Sequence, residues 1–207
     1  MPQQARARAT HVAILQSATQ LLSASELDDF NTNAIAERAG TSIGTFYQYF
    51  PNKEAVLLTL IREQKAEMFT NIGNAMRDAS GCSLEGAVRL LIRGRLKHLR
   101  DNQHVAWILG QQELLLPIPE VKAEYLEEGI QLFSRGLDHW GHAVKGIDVQ
   151  RAAKTIPAMV RGIMESWIRE PSHYLDIAEE EAVDSVLGYL HRQRRSASRS
   201  IEGMSRE

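Results

Sequence analysis

From Val12 to Leu190 the apolar residues of this chain recur at intervals of three and four, and nowhere do they alternate long enough to propose a strand. That spacing restricts the chain to packed amphipathic helices, an all-α fold of about nine helices. Its 207 residues, 43% of them hydrophobic, suffice for one large domain or a small domain beside a larger one. No apolar run approaches the ~20 residues that a membrane-spanning helix requires. Nor does an apolar stretch follow Arg6 and Arg8 at once, as a signal peptide demands. The single cysteine, Cys82, excludes an internal disulfide and suits a reducing compartment, so a cytoplasmic protein without a membrane segment is expected.

Helix breakers divide the pattern. Val12, Leu15, Ala18, Thr19 and Leu22 mark a first core-facing helix over 10–24, and the acidic stretch 25–31 suits a loop. Asn31 or Thr32 can cap a short helix through Ala39, which Gly40 ends as its left-handed residue. A second short helix covers 42–50, and Pro51-Asn52 breaks it, with Asn52 capping a long helix from Lys53 to about Arg77. Residues 78–83 form a short linker, followed by an apolar stripe of Leu84, Val88, Leu91, Ile92, Leu96 and Leu99. Helix resumes over 105–116 and, after Pro117-Ile118-Pro119, over 120–143. Asp148 caps a helix to Arg169, in which Pro157 predicts a kink. The last helix is expected to start among Glu179, Glu180 and Glu181 and to end among His191, Arg192, Arg194 and Arg195, a charge order that complements the helix dipole.

Two short helices joined by a three- or four-residue turn containing Gly make a helix-turn-helix. Ala36 is small enough for the helices to approach, Gly40 turns the chain, and Phe46 packs the second helix. Three features of this segment are poor for stability and useful for gripping DNA. Gly44 lies inside the second helix at a cost of roughly 1 kcal/mol relative to Ala; a frayed first turn or close approach to a phosphate or base edge would each account for it. Phe46, Tyr47, Tyr49 and Phe50 place four aromatics in five residues. Phe46 and Phe50 share a core face, so at least one tyrosine hydroxyl is expected to face out, towards a phosphate. Lys53 opens a helix, where a cation opposes the dipole, and so offers an anion site. Bulk charge does not help: residues 1–53 hold Arg6, Arg8, Arg38 and Lys53 against Glu26, Asp28, Asp29 and Glu37, and the whole chain carries a formal charge of −2.

The segment 32–57, TNAIAERAGTSIGTFYQYFPNKEAVL, resembles the DNA-binding domain of the TetR (tetracycline-repressor-like) family of bacterial regulators. The resemblance rests on Ile35-Ala36, Ala39-Gly40, Gly44-Thr45-Phe46-Tyr47, Phe50 and Lys53-Glu54, and it covers about 50 residues. It implies a three-helix DNA-binding domain over 1–52 and a helical ligand-binding and dimerisation domain over 53–207. Base contacts then fall to Ser42, Gly44, Thr45 and Gln48, and Gln48 has the amide geometry for adenine. Phosphate contacts fall to Thr32, Thr41, Tyr47, Tyr49 and Lys53, while Arg6 and Arg8 resemble a basic arm that reaches the minor groove. Ile43 departs from the family pattern, standing where many members carry lysine. The change removes a phosphate contact or substitutes a thymine-methyl contact.

The resemblance further implies a homodimer through the last two helices, with Ala152, Ile156, Met159, Val160, Ile163, Met164, Trp167, Val183, Val186, Leu187 and Leu190 as its apolar positions. Intramolecular core is the competing reading for each. Between the two ends a pocket for an unknown small-molecule effector is expected, with Trp107, Gln111, Glu113, Tyr125, Phe133 and Trp140 as candidate contacts. His139 and His142 have the spacing for one face of a metal site, but no matched carboxylate or cysteine completes it, so no metal or other cofactor is expected. The basic run 192–199 suits a solvated tail. The expected function is a regulator of transcription, a repressor released from a pseudo-palindromic double-stranded DNA operator by a small hydrophobic ligand. An α-helical enzyme or an adaptor binding a hydrophobic molecule or a protein is the alternative, but no Ser-His-Asp set or phosphate loop supports catalysis.

Overall fold

The computed structural model describes residues 2–24, 29–101, 103–139, 146–171 and 173–204. Among them are nine helices and no strand: α1 (Pro2–Ala24), α2 (Thr32–Arg38), α3 (Ile43–Tyr49), α4 (Lys53–Asp78), α5 (Leu84–Asp101), α6 (Gln103–Leu115), α7 (Pro119–His139), α8 (Val149–Trp167) and α9 (Tyr174–Met204). Packing groups the described residues into two units. One draws on 1–66 and 102–117, the other on 67–101 and 118–207. This division differs from the cut at 52/53, because α4 continues well past Lys53 and α6 packs on α1.

In the first unit the caps act where short-range chemistry places them. Asn31 accepts the Ala34 amide at 3.0 Å through its side chain, and Ser42 accepts the Thr45 amide at 3.0 Å. Gly40 has φ +64°, while the Thr41 amide reaches the Ala36 carbonyl at 3.0 Å and the Gly40 amide reaches Glu37 at 3.0 Å. These two bonds close α2 with the turn that needs a left-handed residue, which any Cβ would strain. Asn52 accepts the Ala55 amide at 2.8 Å and so starts α4. The core is built from Ile14, Leu15, Ala18 and Leu22 of α1, Ile35 and Ala36 of α2, Phe46, Phe50, and Val56, Leu57, Leu60 and Ile61 of α4. Val12, expected on that face, is 43% exposed, because α1 turns Ile14 inward instead. On α4, Lys65 pairs with the buried Glu113 of α6 at 2.8 Å.

In the second unit α9 packs against α8 and α5, and α7 packs against α8. Ala152, Ile156, Val160 and Met164 of α8 and Val183, Val186 and Leu190 of α9 are buried within this single chain. These positions, expected to face a partner, belong to the intramolecular core; Met159, Ile163, Trp167 and Leu187 are half-buried. The last helix starts at Tyr174, ahead of the glutamate run, because Leu175 and Ala178 extend its buried stripe towards the N-terminus. It also continues to Met204, beyond the expected arginine end. The acidic run has a partner instead. Glu179, only 5% exposed, accepts Arg93 Nε at 2.7 Å and lies 3.7 Å from Arg89 and 3.5 Å from Arg100. At Gly94, α5 approaches α4 so closely that an added Cβ would lie 2.9 Å from both the Ala75 Cβ and the Asn71 carbonyl oxygen.

Candidate nucleic-acid interface and ligand cavity

The turn between α2 and α3 fixes which side of α3 is free. Phe46 and Phe50 point into the core, with ring centroids 6.0 Å apart, and this leaves Ser42, Ile43, Gly44, Tyr47 and Gln48 exposed. Tyr47 is the tyrosine that faces out, 53% exposed and edge-on to Phe46, while Tyr49 is half-buried with its ring 6.3 Å from that of His11. The hydroxyls of Ser42 and Thr45 lie 2.9 Å apart and bond to each other. Thr32 starts α2 with its hydroxyl 3.4 Å from that of Tyr47, bringing two expected phosphate contacts together. A Cβ built on Gly44 would meet only Ser42 Oγ, at 3.8 Å. Nothing among the described residues therefore requires glycine at this position.

Four expected contact residues stand differently in the structure. Arg6 and Arg8 are exposed but lie within α1, where Pro2 suits the first turn, and so form no extended arm. The Thr41 hydroxyl is buried and has no hydrogen-bond partner among the described residues, because the turn after Gly40 directs it inward. The Lys53 ammonium is part-buried and donates to the Phe30 carbonyl at 3.2 Å. It thus satisfies an acceptor of the chain before it meets any phosphate.

The second unit holds a partly open cavity of about 160 Å³, to which Met68, Phe69, Ile72 and Met76 of α4 contribute, with Phe133 of α7 and Pro157 of α8. Arg95 is the one charged residue in its lining among the described residues. Of the expected ligand contacts, Phe133 lines this cavity. Tyr125 is not part of the lining, although its ring lies 6.4 Å from that of Phe69, which is. Trp107, Gln111 and Glu113 belong to α6 in the other unit, where Glu113 is engaged by Lys65. Trp140 and His142 lie outside the described residues. The α4 contribution was not read from the sequence, although Met68, Phe69, Ile72 and Met76 carry helical spacing and so offered the signal. Among the described residues no group of His, Cys, Asp or Glu gathers as metal ligands, and no helix is long and apolar enough to cross a membrane.

Comparisons agree with this geometry. Residues 14–60 match the profile of the bacterial regulatory proteins of the tetR family. The fatty acid metabolism regulator protein of Bacillus subtilis is 22% identical over 186 residues, which is 87% of this chain and 94% of that protein. The HTH-type transcriptional regulator EthR of Mycobacterium tuberculosis is 52% identical over 50 residues, covering 24% of this chain and 23% of its own length. The crystal structure of the transcriptional regulator FadR from Bacillus subtilis in complex with stearoyl-CoA superposes with a TM-score of 0.60 at 22% identity, covering 86% of this chain and 96% of that one. Residues 14–60 thus carry a helix-turn-helix of the tetR type, and the chain as a whole shares the fold of solved regulators that contain one.

Proposed function

We propose that this chain is a homodimeric repressor that leaves its operator when an apolar small molecule fills the cavity of the second unit. The observation that carries this reading is the continuity of α4. One helix begins at Lys53, beside the recognition helix, and supplies Met68, Phe69, Ile72 and Met76 to the cavity lining. A ligand that favours one placement of those four side chains also biases α4, and with it the helix-turn-helix. Couplings of about 1–3 kcal/mol are typical and weaken operator binding about 5- to 150-fold. The lining admits an apolar body with at most one anionic or polar group, held near Arg95. The stearoyl-CoA bound to the relative of this fold and the fatty acid regulator among the sequence relatives support a ligand of that kind.

On the DNA side, Ser42, Gly44, Thr45 and Gln48 take the base edges, while Thr32, Tyr47 and Lys53 take phosphates. Two recognition helices of a dimer would enter successive major grooves of a pseudo-palindrome. The partner face is the outer surface of α8 and α9, where Ala158, Gly162 and Gly188 are exposed and small enough for close helix approach. The test is selection of duplex DNA from a random pool by the full-length protein, followed by titration with long-chain acyl compounds. Release of the selected DNA supports the reading. An acyl compound that binds the protein and leaves DNA affinity unchanged overturns it.

A further inference from the structure

The helix α3 presents an apolar side chain to solvent. Ile43, the first residue of α3, is 39% exposed, although the helix buries Phe46 and Phe50. Tyr47, one turn along, is exposed beside it, and Gly44 leaves the surface between Ile43 and Gln48 without a side chain. Isoleucine has neither a donor nor an acceptor. Placed against a phosphate, it would strip water from an anion and return nothing. Placed against base edges in the major groove, it has one complementary feature to meet, the C5-methyl group of thymine. Its side chain is short, so contact requires the backbone to come close to the bases. The bare surface at Gly44, which no packing among the described residues explains, permits that approach. The neutral charge of residues 1–53 makes such a placed contact count for more.

We propose that Ile43 is a specificity-determining residue that reads a thymine methyl in each operator half-site. The assignment rests on the reading of α3 as the recognition helix and adds the chemistry of one base pair to it. Burial of one methyl group corresponds to about a fourfold effect on affinity per half-site.

The experiment starts from the DNA selected by the full-length protein. Each thymine of one half-site is replaced in turn by deoxyuridine, which removes the methyl group and keeps the base pair. Affinities are measured for the wild type, Ile43→Ala and Ile43→Val, with thermal melting to confirm that each variant is folded. The expected result is one thymine at which uracil weakens the wild type about fourfold and leaves Ile43→Ala unaffected. Ile43→Val, which keeps a branched apolar end, retains the uracil penalty. The proposal is overturned if every uracil penalty is the same in the wild type and in Ile43→Ala, or if the selected half-site holds no thymine. A pool from which no sequence is enriched overturns the assignment of α3 as a recognition helix along with it. An enriched sequence without this coupling overturns the role of Ile43 alone.

Discussion

The ammonium of Lys53 lies 3.2 Å from the carbonyl oxygen of Phe30, so the first residue of α4 ties down the residue that leads into α2. This cation has a structural task inside the chain, and the proposed function adds a phosphate contact outside it. Replacement Lys53→Ala is expected to cost about 1 kcal/mol of stability, the usual net worth of one such hydrogen bond. It should also weaken DNA binding across all sequences and flatten the salt dependence by about one unit. Denaturant melts and binding titrations at several salt concentrations measure the two effects separately. A salt slope that does not change would remove Lys53 from the phosphate contacts.

Gly44 separates folding from binding. Its backbone is helical and a Cβ there has room, meeting only Ser42 Oγ at 3.8 Å. Gly44→Ala should therefore leave the melting temperature unchanged or raise it, by up to ~1 kcal/mol of helix propensity. Operator affinity should nevertheless fall about tenfold or more, equivalent to ~1.4 kcal/mol, because the methyl group holds the backbone off the DNA. Equal affinity for the two proteins would show that no close approach occurs at this residue.

Gly94 is the opposite case. A methyl group there would lie 2.9 Å from backbone and side-chain atoms of α4, and the Asn71 carbonyl cannot rotate away. Gly94→Ala is expected to destabilise the protein by about 1–3 kcal/mol through overpacking. For a chain of this length the melting temperature should drop by roughly 2–4 °C per kcal/mol. Calorimetry reads this directly, and a melting temperature at or above the wild-type value would contradict the close packing of α5 on α4.

Acid should loosen the pairing of α5 with α9. Arg89 donates a bidentate hydrogen bond to Glu180, and this bond, ahead of simple charge attraction, holds the Glu180 carboxyl below its usual range and raises the Arg89 guanidinium above its own. Because the folded carboxyl is the stronger acid, its contribution is complete above the ordinary carboxylate pKa and is lost as the pH falls through the lower folded value. The pair is exposed, so the effect is small and weakens with salt. In low-salt buffer the wild type should exceed Glu180→Gln in urea midpoint at neutral pH, and the gap should close as the pH drops below the ordinary carboxylate range. A constant gap across that range would show that the bond does not form in solution.

Much of this architecture was legible in the sequence. Asn31, Gly40, Asn52 and Asp148 acted as the helix stops and starts they suggested, because a cap is decided within four residues of itself. The helix-turn-helix was legible for the same reason, since Ala36, Gly40 and Phe46 lie close together in the chain. Which face a helix buries depends on its neighbours, and there the sequence misled. It put Val12 in the core where α1 buries Ile14, offered Thr41 to a phosphate where the hydroxyl is enclosed, and assigned a partner seam to α8 and α9 residues that their own chain covers.

The chain's local chemistry thus determined that it is a set of helices, where most of them break, and where the helix-turn-helix lies. Tertiary structure alone decided that α4, and not α6, supplies cavity walls beside Phe133, that Lys53 already holds the Phe30 carbonyl, and that Glu179 sits among three arginines of α5. The division has a physical cause. Capping and periodicity act over one or two turns, whereas the burial of a stripe or the partner of a charge is chosen by a helix that can lie 80 or more residues away in the chain, as Arg93 and Glu179 do at a separation of 86.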